Sequence, residues 1–243
     1  MPAIAVTGGN RGIGAAIVRE LAGRGLTVGC LSRAGALPEG LEGRPGRVFA
    51  HGCDVTREAT LRAAFATLAQ QAGGIAGLVN NAGVHIVGRS ASLETAVFDS
   101  VMATNATGVF VACREVHPHL LANGGGIIVN IGSFFDRMGV KQNLAYCASK
   151  AAVGAITRCL AVEWAADGIR VVNVAPGYIE TDLNKQALAE GSRLRAYLAQ
   201  RIPGGRPGTA AEVARLVGQL IAEPIPFLTG ETIYLDGAQT IAH

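Results

Sequence analysis

The sequence predicts an α/β protein built on one doubly wound parallel sheet, a single domain over residues 1–243. Three observations predict it. Strand-like apolar runs alternate with helical ones along the whole chain, the pattern of strand–helix units joined by right-handed crossovers. The strand-like runs are nearly continuous in apolar residues, as strands covered on both faces are. A chain of 243 residues with 49% hydrophobic and 16% charged residues suits one α/β domain with a full core.

The elements follow in order. Ala3–Thr7 reads as the first strand and residues 11–23 as an amphipathic helix. Strands are predicted at 26–31 and 47–51, with the Gly/Pro-rich stretch 34–46 as the loop between them. A helix over 58–71 leads into a strand at Ile75–Asn80, and one long helix is predicted over 97–122. Gly126–Ile131 is the fifth strand, 145–166 a helix and 170–175 the sixth strand. The helix Ala210–Ala222 precedes the last strand, Thr232–Leu235.

Composition excludes several classes. Disorder needs low hydrophobicity and high charge, and collagen needs glycine at every third position, whereas these 33 glycines fall in irregular clusters. Apolar stretches are broken by Arg, Asp, Gly or Asn short of a bilayer span, so no membrane association is expected. The net charge of +3 is scattered rather than gathered in a basic stripe, which argues against nucleic acid as a partner. The five cysteines form no C-x-x-C pair and read as buried thiols of a reducing compartment. With Met1-Pro2 leading straight into an apolar run, the expected location is cytoplasmic.

In a doubly wound sheet ligands bind beyond the carboxyl ends of the strands. The first strand ends in Thr7-Gly8-Gly9-Asn10-Arg11-Gly12-Ile13-Gly14 and runs directly into a helix. Glycines there allow a tight turn and let backbone N–H groups approach a pyrophosphate at the helix N-terminus, so Gly8, Asn10, Arg11, Gly12, Ile13 and Gly14 are candidate cofactor-binding residues. At the end of the second strand an acidic residue would accept from a ribose 2′-hydroxyl and repel a 2′-phosphate. This chain has Ser32-Arg33 instead, with Arg11 nearby in the turn, which favours NADP(H) while leaving NAD(H) open. The alternative is that Arg33 only solvates a loop.

Past the fifth strand stand Gly132-Ser133 and then Tyr146-Cys147-Ala148-Ser149-Lys150. Tyr146 and Lys150 are four apart at the start of a helical stretch and share one face. A free phenol has a pKa of about 10; lowering it about three units takes roughly 4 kcal/mol. One ammonium about 4 Å away supplies roughly that at an effective dielectric near 20. His117-Pro118-His119 has no third ligand at metal-like spacing, so no metal site is predicted.

Taken together with the residues above, the chain resembles the short-chain dehydrogenase/reductase family over essentially its whole length. The motifs that carry the resemblance are the glycine turn, Asp54-Val55, Asn80-Asn81-Ala82-Gly83, Asn105, Ser133, Tyr146, Lys150 and Pro176-Gly177. It implies a Rossmann-like fold and a nicotinamide-dependent oxidoreductase acting on ketones or secondary alcohols. It implies Tyr146 as general acid/base, with Ser133 on the reacting oxygen, Lys150 on the phenol and the cofactor ribose, and Asn105 positioning a water in a relay through Lys150. Asn105 sits inside a predicted helix, where asparagine is a poor helix former, and a local kink is the expectation. Asp54 and Val55 would meet the adenine, and Asn81, Ala82 and Gly83 would line the cofactor cleft. Pro176, Gly177, Ile179 and Thr181 would lie near the nicotinamide, followed by a mobile substrate lid at 182–206.

Among family members the overall pattern is most similar to 3-oxoacyl-(acyl carrier protein) reductases, so a 3-oxoacyl thioester is one candidate substrate. Where those enzymes carry arginines to dock the acidic carrier, this chain has Asn123-Gly124-Gly125 and Ala166-Asp167-Gly168, which disfavours the carrier as a partner. Val84, Ile86, Phe134, Phe135, Asn143 and Tyr178 are the candidate substrate pocket. The two phenylalanines suit either a compact aromatic pocket or the core. The expected activity is NADP(H)-linked carbonyl reduction. An NAD-linked sugar, polyol or cyclic alcohol dehydrogenase and a non-catalytic nucleotide sensor are the alternatives. The resemblance also implies a homotetramer packed through the long helices 97–122 and 145–166.

Overall fold

Near-continuous apolar runs become strands buried on both sides. In a computed structural model that describes residues 2–182, 184–186 and 188–242, Ala3–Thr7 (β1) is buried at every position. Ala3 and Ala5 face one hydrophobic cluster while Ile4 and Val6 face the other, as the two-residue side-chain period requires. The chain continues through Gly12–Gly23 (α1), Val28–Ser32 (β2), Val48–Gly52 (β3), Glu58–Ala72 (α2) and Ile75–Asn80 (β4). Thr95–Met102 (α3) runs through a five-residue π turn, Ala103–Thr107, into Gly108–Ala122 (α4). Gly126–Ile131 (β5), Leu144–Trp164 (α5), Ile169–Pro176 (β6), Ile179–Glu180 (β7), Arg193–Arg201 (α6), Gly208–Thr209 (β8), Ala210–Ala222 (α7) and Thr232–Leu235 (β9) complete it.

Seven strands form one parallel sheet in the order β3-β2-β1-β4-β5-β6-β9, so the winding reverses at β1 and β4. Helices α2, α4 and α5 cover one face, around Phe65, Leu68, Val116 and Leu120. Helices α1 and α7 cover the other, around Ile17, Leu21, Val213 and Val217. The switch point between β1 and β4 is where such sheets open a ligand crevice.

Three departures from the expected elements bear on function. The long helix is broken by the π turn, which centres on Asn105. Thr95–Ala122 taken together is long and apolar enough to cross a membrane by length and composition, contrary to the expectation of uniformly interrupted runs. Here α4 packs on α2 and β4 as a core helix. Finally, the polar stretch before residue 206 holds α6, and the two-stranded pairing of β7 with β8 closes its base. Within the stretch expected to form the lid, 182–206, Leu183 and Ala187 lie outside the described residues.

Candidate active site

The glycine turn is locked to the turn after β4. The Thr7 hydroxyl accepts from the backbone N–H of Asn81 (3.0 Å) and of Ala82 (3.1 Å). In return, Asn81 Nδ2 donates to the Thr7 (3.0 Å) and Gly8 (3.2 Å) carbonyls. Gly14 fits only as glycine: a Cβ there would stand 2.2 Å from the Gly8 carbonyl oxygen. Gly12 has φ +55°, and the nearest atom to its missing Cβ is Thr181 Cγ2 at 3.9 Å, so the turn faces open space bounded by Thr181. Arg11, the residue preceding α1, offers no side-chain cap to the helix N–H groups. A nucleotide pyrophosphate fits this cradle, since the first-turn N–H groups and the helix dipole are left to a ligand.

The nucleoside end lies at β2 and β3. Ser32 is buried and its hydroxyl has no hydrogen-bond partner among the described residues. The next residue, Arg33, is exposed. Asp54 closes a turn in which its Oδ1 accepts from the Thr56 backbone (3.0 Å) and hydroxyl (2.7 Å). Those bonds hold its carboxyl below the usual range, and Arg33 and Arg57 add to the effect.

The chemical centre gathers at the ends of β4 and β5 and the start of α5. Its floor is a row of buried asparagines in register across β4, β5 and β6: Asn80, Asn130 and Asn173. Asn80 Nδ2 donates to Asn130 Oδ1 at 2.9 Å, and Asn130 Nδ2 to the Thr157 hydroxyl at 2.9 Å. Ser133 caps the single turn Phe134–Asp136, its Oγ accepting from Phe135 N–H at 3.3 Å. Lys150 is buried and donates to the Ile131 carbonyl at 2.7 Å, with its Nζ 5.6 Å from the Tyr146 ring centroid. Burial pulls the Lys150 ammonium down to about 8. Burial pushes the Tyr146 phenol above its ordinary value, and the hydrogen bond of Ser133 draws it back only in part.

That corrects the electrostatic expectation. The protein alone does not depress the phenol, because desolvation penalises phenolate and ammonium alike and Lys150 bonds a carbonyl rather than the phenol.

Asn105 is fully buried in its π turn, the kind of helix irregularity that re-aims a side chain at a site. Its amide accepts from Val84 N–H and donates to the Val84 carbonyl, each at 2.8 Å, and donates to Ser149 Oγ at 3.1 Å. The side chain therefore clamps the segment after Gly83 and makes no hydrogen bond to Lys150.

Phe134 and Phe135 are buried and yet touch the site. Phe135 lies 6.0 Å centroid to centroid from both Tyr146 and Tyr178, and Phe134 lies 5.4 Å from Tyr178. Ile86 is 40% exposed, on the rim. Asn143, the residue before α5, is buried and donates to the Lys141 carbonyl at 2.8 Å. Sequence reasoning missed His85, which hydrogen-bonds Asn143 and lies 4.4 Å from the Tyr146 ring. Its only sequence signal was its place between Val84 and Ile86. His117, away from the site, stacks on Trp164 and contacts Asp167 at 3.3 Å.

A dinucleotide cradle facing a partly exposed Tyr146 between buried Ser133 and Lys150 defines a nicotinamide-dependent oxidoreductase site. A family model described as enoyl-(acyl carrier protein) reductase matches residues 8–240. The chain is 37% identical to 2-(R)-hydroxypropyl-CoM dehydrogenase of Xanthobacter autotrophicus over 97% of each chain. It is 35% identical to the 3-oxoacyl-[acyl-carrier-protein] reductase MabA of Mycobacterium bovis, over 99% of this chain and 93% of the relative. A solved short-chain type dehydrogenase/reductase from Mycobacterium marinum superposes with a TM-score of 0.91 at 30% identity, covering 99% of this chain and 96% of that one. The chain belongs to the short-chain dehydrogenase/reductase family, as an oxidoreductase acting on alcohol or ketone groups with a nicotinamide dinucleotide.

Proposed function

We propose that the chain is an NADP(H)-dependent carbonyl reductase interconverting a ketone and a secondary alcohol, with Tyr146 as general acid/base. The observation that carries this is the half-buried Tyr146 at the start of α5, with the buried Lys150 Nζ 5.6 Å from its ring centroid and the buried Ser133 beside it. The raised phenol and the Lys150 value of about 8 leave tyrosine protonated at neutral pH, which is the acid form that carbonyl reduction needs. Tyr146 donates its proton to the substrate oxygen, Ser133 holds that oxygen, and Lys150 compensates the phenolate left behind. The cofactor supplies the hydride when bound; the glycine turn, Asn81, Gly83 and Thr181 hold it. Asn105 fixes the Val84 wall of the site.

The NADP(H) preference rests on the absence of an acidic residue at the end of β2, on exposed Arg33 and on the Ser32 hydroxyl, which has no hydrogen-bond partner among the described residues. Comparing kcat/KM with NADPH and NADH across aromatic ketones and a 3-oxoacyl thioester tests the reading. A preference for NADPH is expected, and the Arg33→Asp variant shifts it toward NADH by about tenfold or more, the scale of one lost charge-assisted contact. A wild-type preference for NADH rejects the cofactor assignment.

Residues 182–206 act in this reading as a substrate lid hinged on the β7–β8 pairing. A homotetramer is supported by exposed apolar side chains on α4 and α5, with Phe110 and Leu121 on one and Val162 on the other. Light scattering in solution checks it, and a monomer rejects it. Asp167, at a place where a basic carrier-docking residue would stand, speaks for a free small-molecule ketone over a carrier-bound acyl group. Five free thiols support a cytoplasmic location.

A further inference from the structure

The orientation of one amide fixes the tautomer of neutral His85. Asn143 Nδ2 donates to the Lys141 carbonyl at 2.8 Å, so its other atom, Oδ1, is the one turned to His85. A carboxamide oxygen only accepts, and His85 Nε2 must therefore be the protonated nitrogen. In the neutral ring Nδ1 is then a bare acceptor. No hydrogen bond reaches Nδ1 among the described residues, and His85 is exposed in the cleft.

The ring is held where that acceptor counts. Its centroid is 4.4 Å from that of Tyr146 and 6.3 Å, edge-on, from that of Phe135. The loops carrying the pair are tied together, Gly88 N–H donating to the Gln142 carbonyl at 2.9 Å. Gln142 itself stands at φ +65°, a left-handed conformation uncommon outside glycine, immediately before Asn143. Thus Asn143 is a positioning residue, and His85 carries its free acceptor on an exposed ring packed against that of Tyr146.

We propose that His85 Nδ1 accepts a hydrogen bond from a hydroxyl next to the reacting carbon, so that the preferred substrates are α-hydroxy ketones and the vicinal diols they give. Phe134, Phe135 and Tyr178 add an aromatic wall, which suits an aryl or branched alkyl group on the carbonyl. This assignment rests on the carbonyl reductase reading above and sharpens its substrate class.

Three ketones that differ at one group test it: 2-hydroxyacetophenone, 2-methoxyacetophenone and acetophenone. The methoxy compound keeps the oxygen and its electron withdrawal, has no proton to donate and adds one methyl group, whose bulk the variants hold constant. The wild-type enzyme is expected to favour the hydroxy ketone over the methoxy ketone in kcat/KM by about tenfold, the worth of one neutral hydrogen bond. His85→Phe keeps the stacked ring and brings that ratio close to one. His85→Asn, whose Oδ1 lies where Nδ1 was, restores most of it. A structural role alone would lower both substrates equally. Independently of turnover, the ¹⁵N shifts of the His85 ring are expected to show protonated Nε2 and bare Nδ1. A wild-type ratio near one, a ratio unchanged in His85→Phe, or the opposite tautomer overturns the proposal. Failure to reduce any of the three ketones with either cofactor overturns the parent reading and the proposal with it, an outcome distinct from indifference to the hydroxyl.

Discussion

The two halves of the cleft are held by different physics. On the cofactor side, Thr7, Gly8, Gly14 and Asn81 interlock through short hydrogen bonds and direct backbone contact, seated on buried β1 and β4. On the substrate side, the segment between β7 and β8 has a small cluster of its own, Leu188, Leu198 and Ile202 against Tyr178. Partly exposed ion pairs hold its edges, Arg195 to Glu180 at 3.4 Å and Arg206 to Glu212 at 2.7 Å. The difference teaches where tolerance lies: one side has no slack for a methyl group, while the other can be altered without unfolding the sheet.

The largest effect is expected from Gly14→Val. Its Cβ would collide with the Gly8 carbonyl, and overpacking of that kind costs about 3 kcal/mol or more. Dinucleotide affinity should fall by about 100-fold or more, read by fluorescence titration. Unchanged affinity would mean that the turn has slack after all.

Lys150→Met separates chemistry from stability. The folded-state value of about 8 lies below the ordinary 10.5, so between those values the unfolded chain binds more protons and stability rises with pH. Removing the amine should abolish that rise, seen as a Tm that no longer climbs over the window. It should slow turnover about 100-fold or more, while Tm at neutral pH does not drop. The relieved burial of charge, up to about 3 kcal/mol, outweighs the roughly 1 kcal/mol of the lost bond to Ile131. A marked fall in Tm would contradict the account.

The pH profile of the wild type follows from the same groups. Ketone reduction is expected to hold level through neutrality and decline above about pH 8, where Lys150 loses its proton. Alcohol oxidation should rise as the Tyr146 phenol ionises. The smallest effect belongs to Arg195→Met, which removes a partly exposed ion pair and a 3.0 Å bond to the Leu188 carbonyl. Stability should change by less than about 1 kcal/mol. KM should rise a fewfold with kcat nearly constant, and proteolysis within 182–206 should quicken.

Most of the sheet was legible in the sequence because buried parallel strands are apolar at nearly every position. The bounds of β1, β4, β5, β9 and α7 follow from where those runs stop. Helix α6 was not legible: its sequence RLRAYLAQR carries three arginines and buries Leu198 alone. The break at Asn105 was legible as a poor helix residue in an apolar run, whereas its grip on Val84 was not, since the two residues meet only through the fold. Ser133, Tyr146 and Lys150 stood out by type and spacing. His85 did not, because its meaning depends on Asn143, which is 58 residues away. The depressed phenol inferred from a single nearby ammonium failed because spacing along a helix reports direction and says nothing of desolvation.

Tyr146→Phe tests the central claim most directly, because it keeps the ring that packs on His85 and Phe135 and removes only the hydroxyl. Hydride transfer from bound NADPH to an aromatic ketone, followed in a single turnover, should slow by about 100-fold or more. Dinucleotide affinity should stay within about threefold of wild type, since the glycine cradle is untouched. Hydride transfer at the wild-type rate would contradict the assignment of Tyr146 as the proton donor.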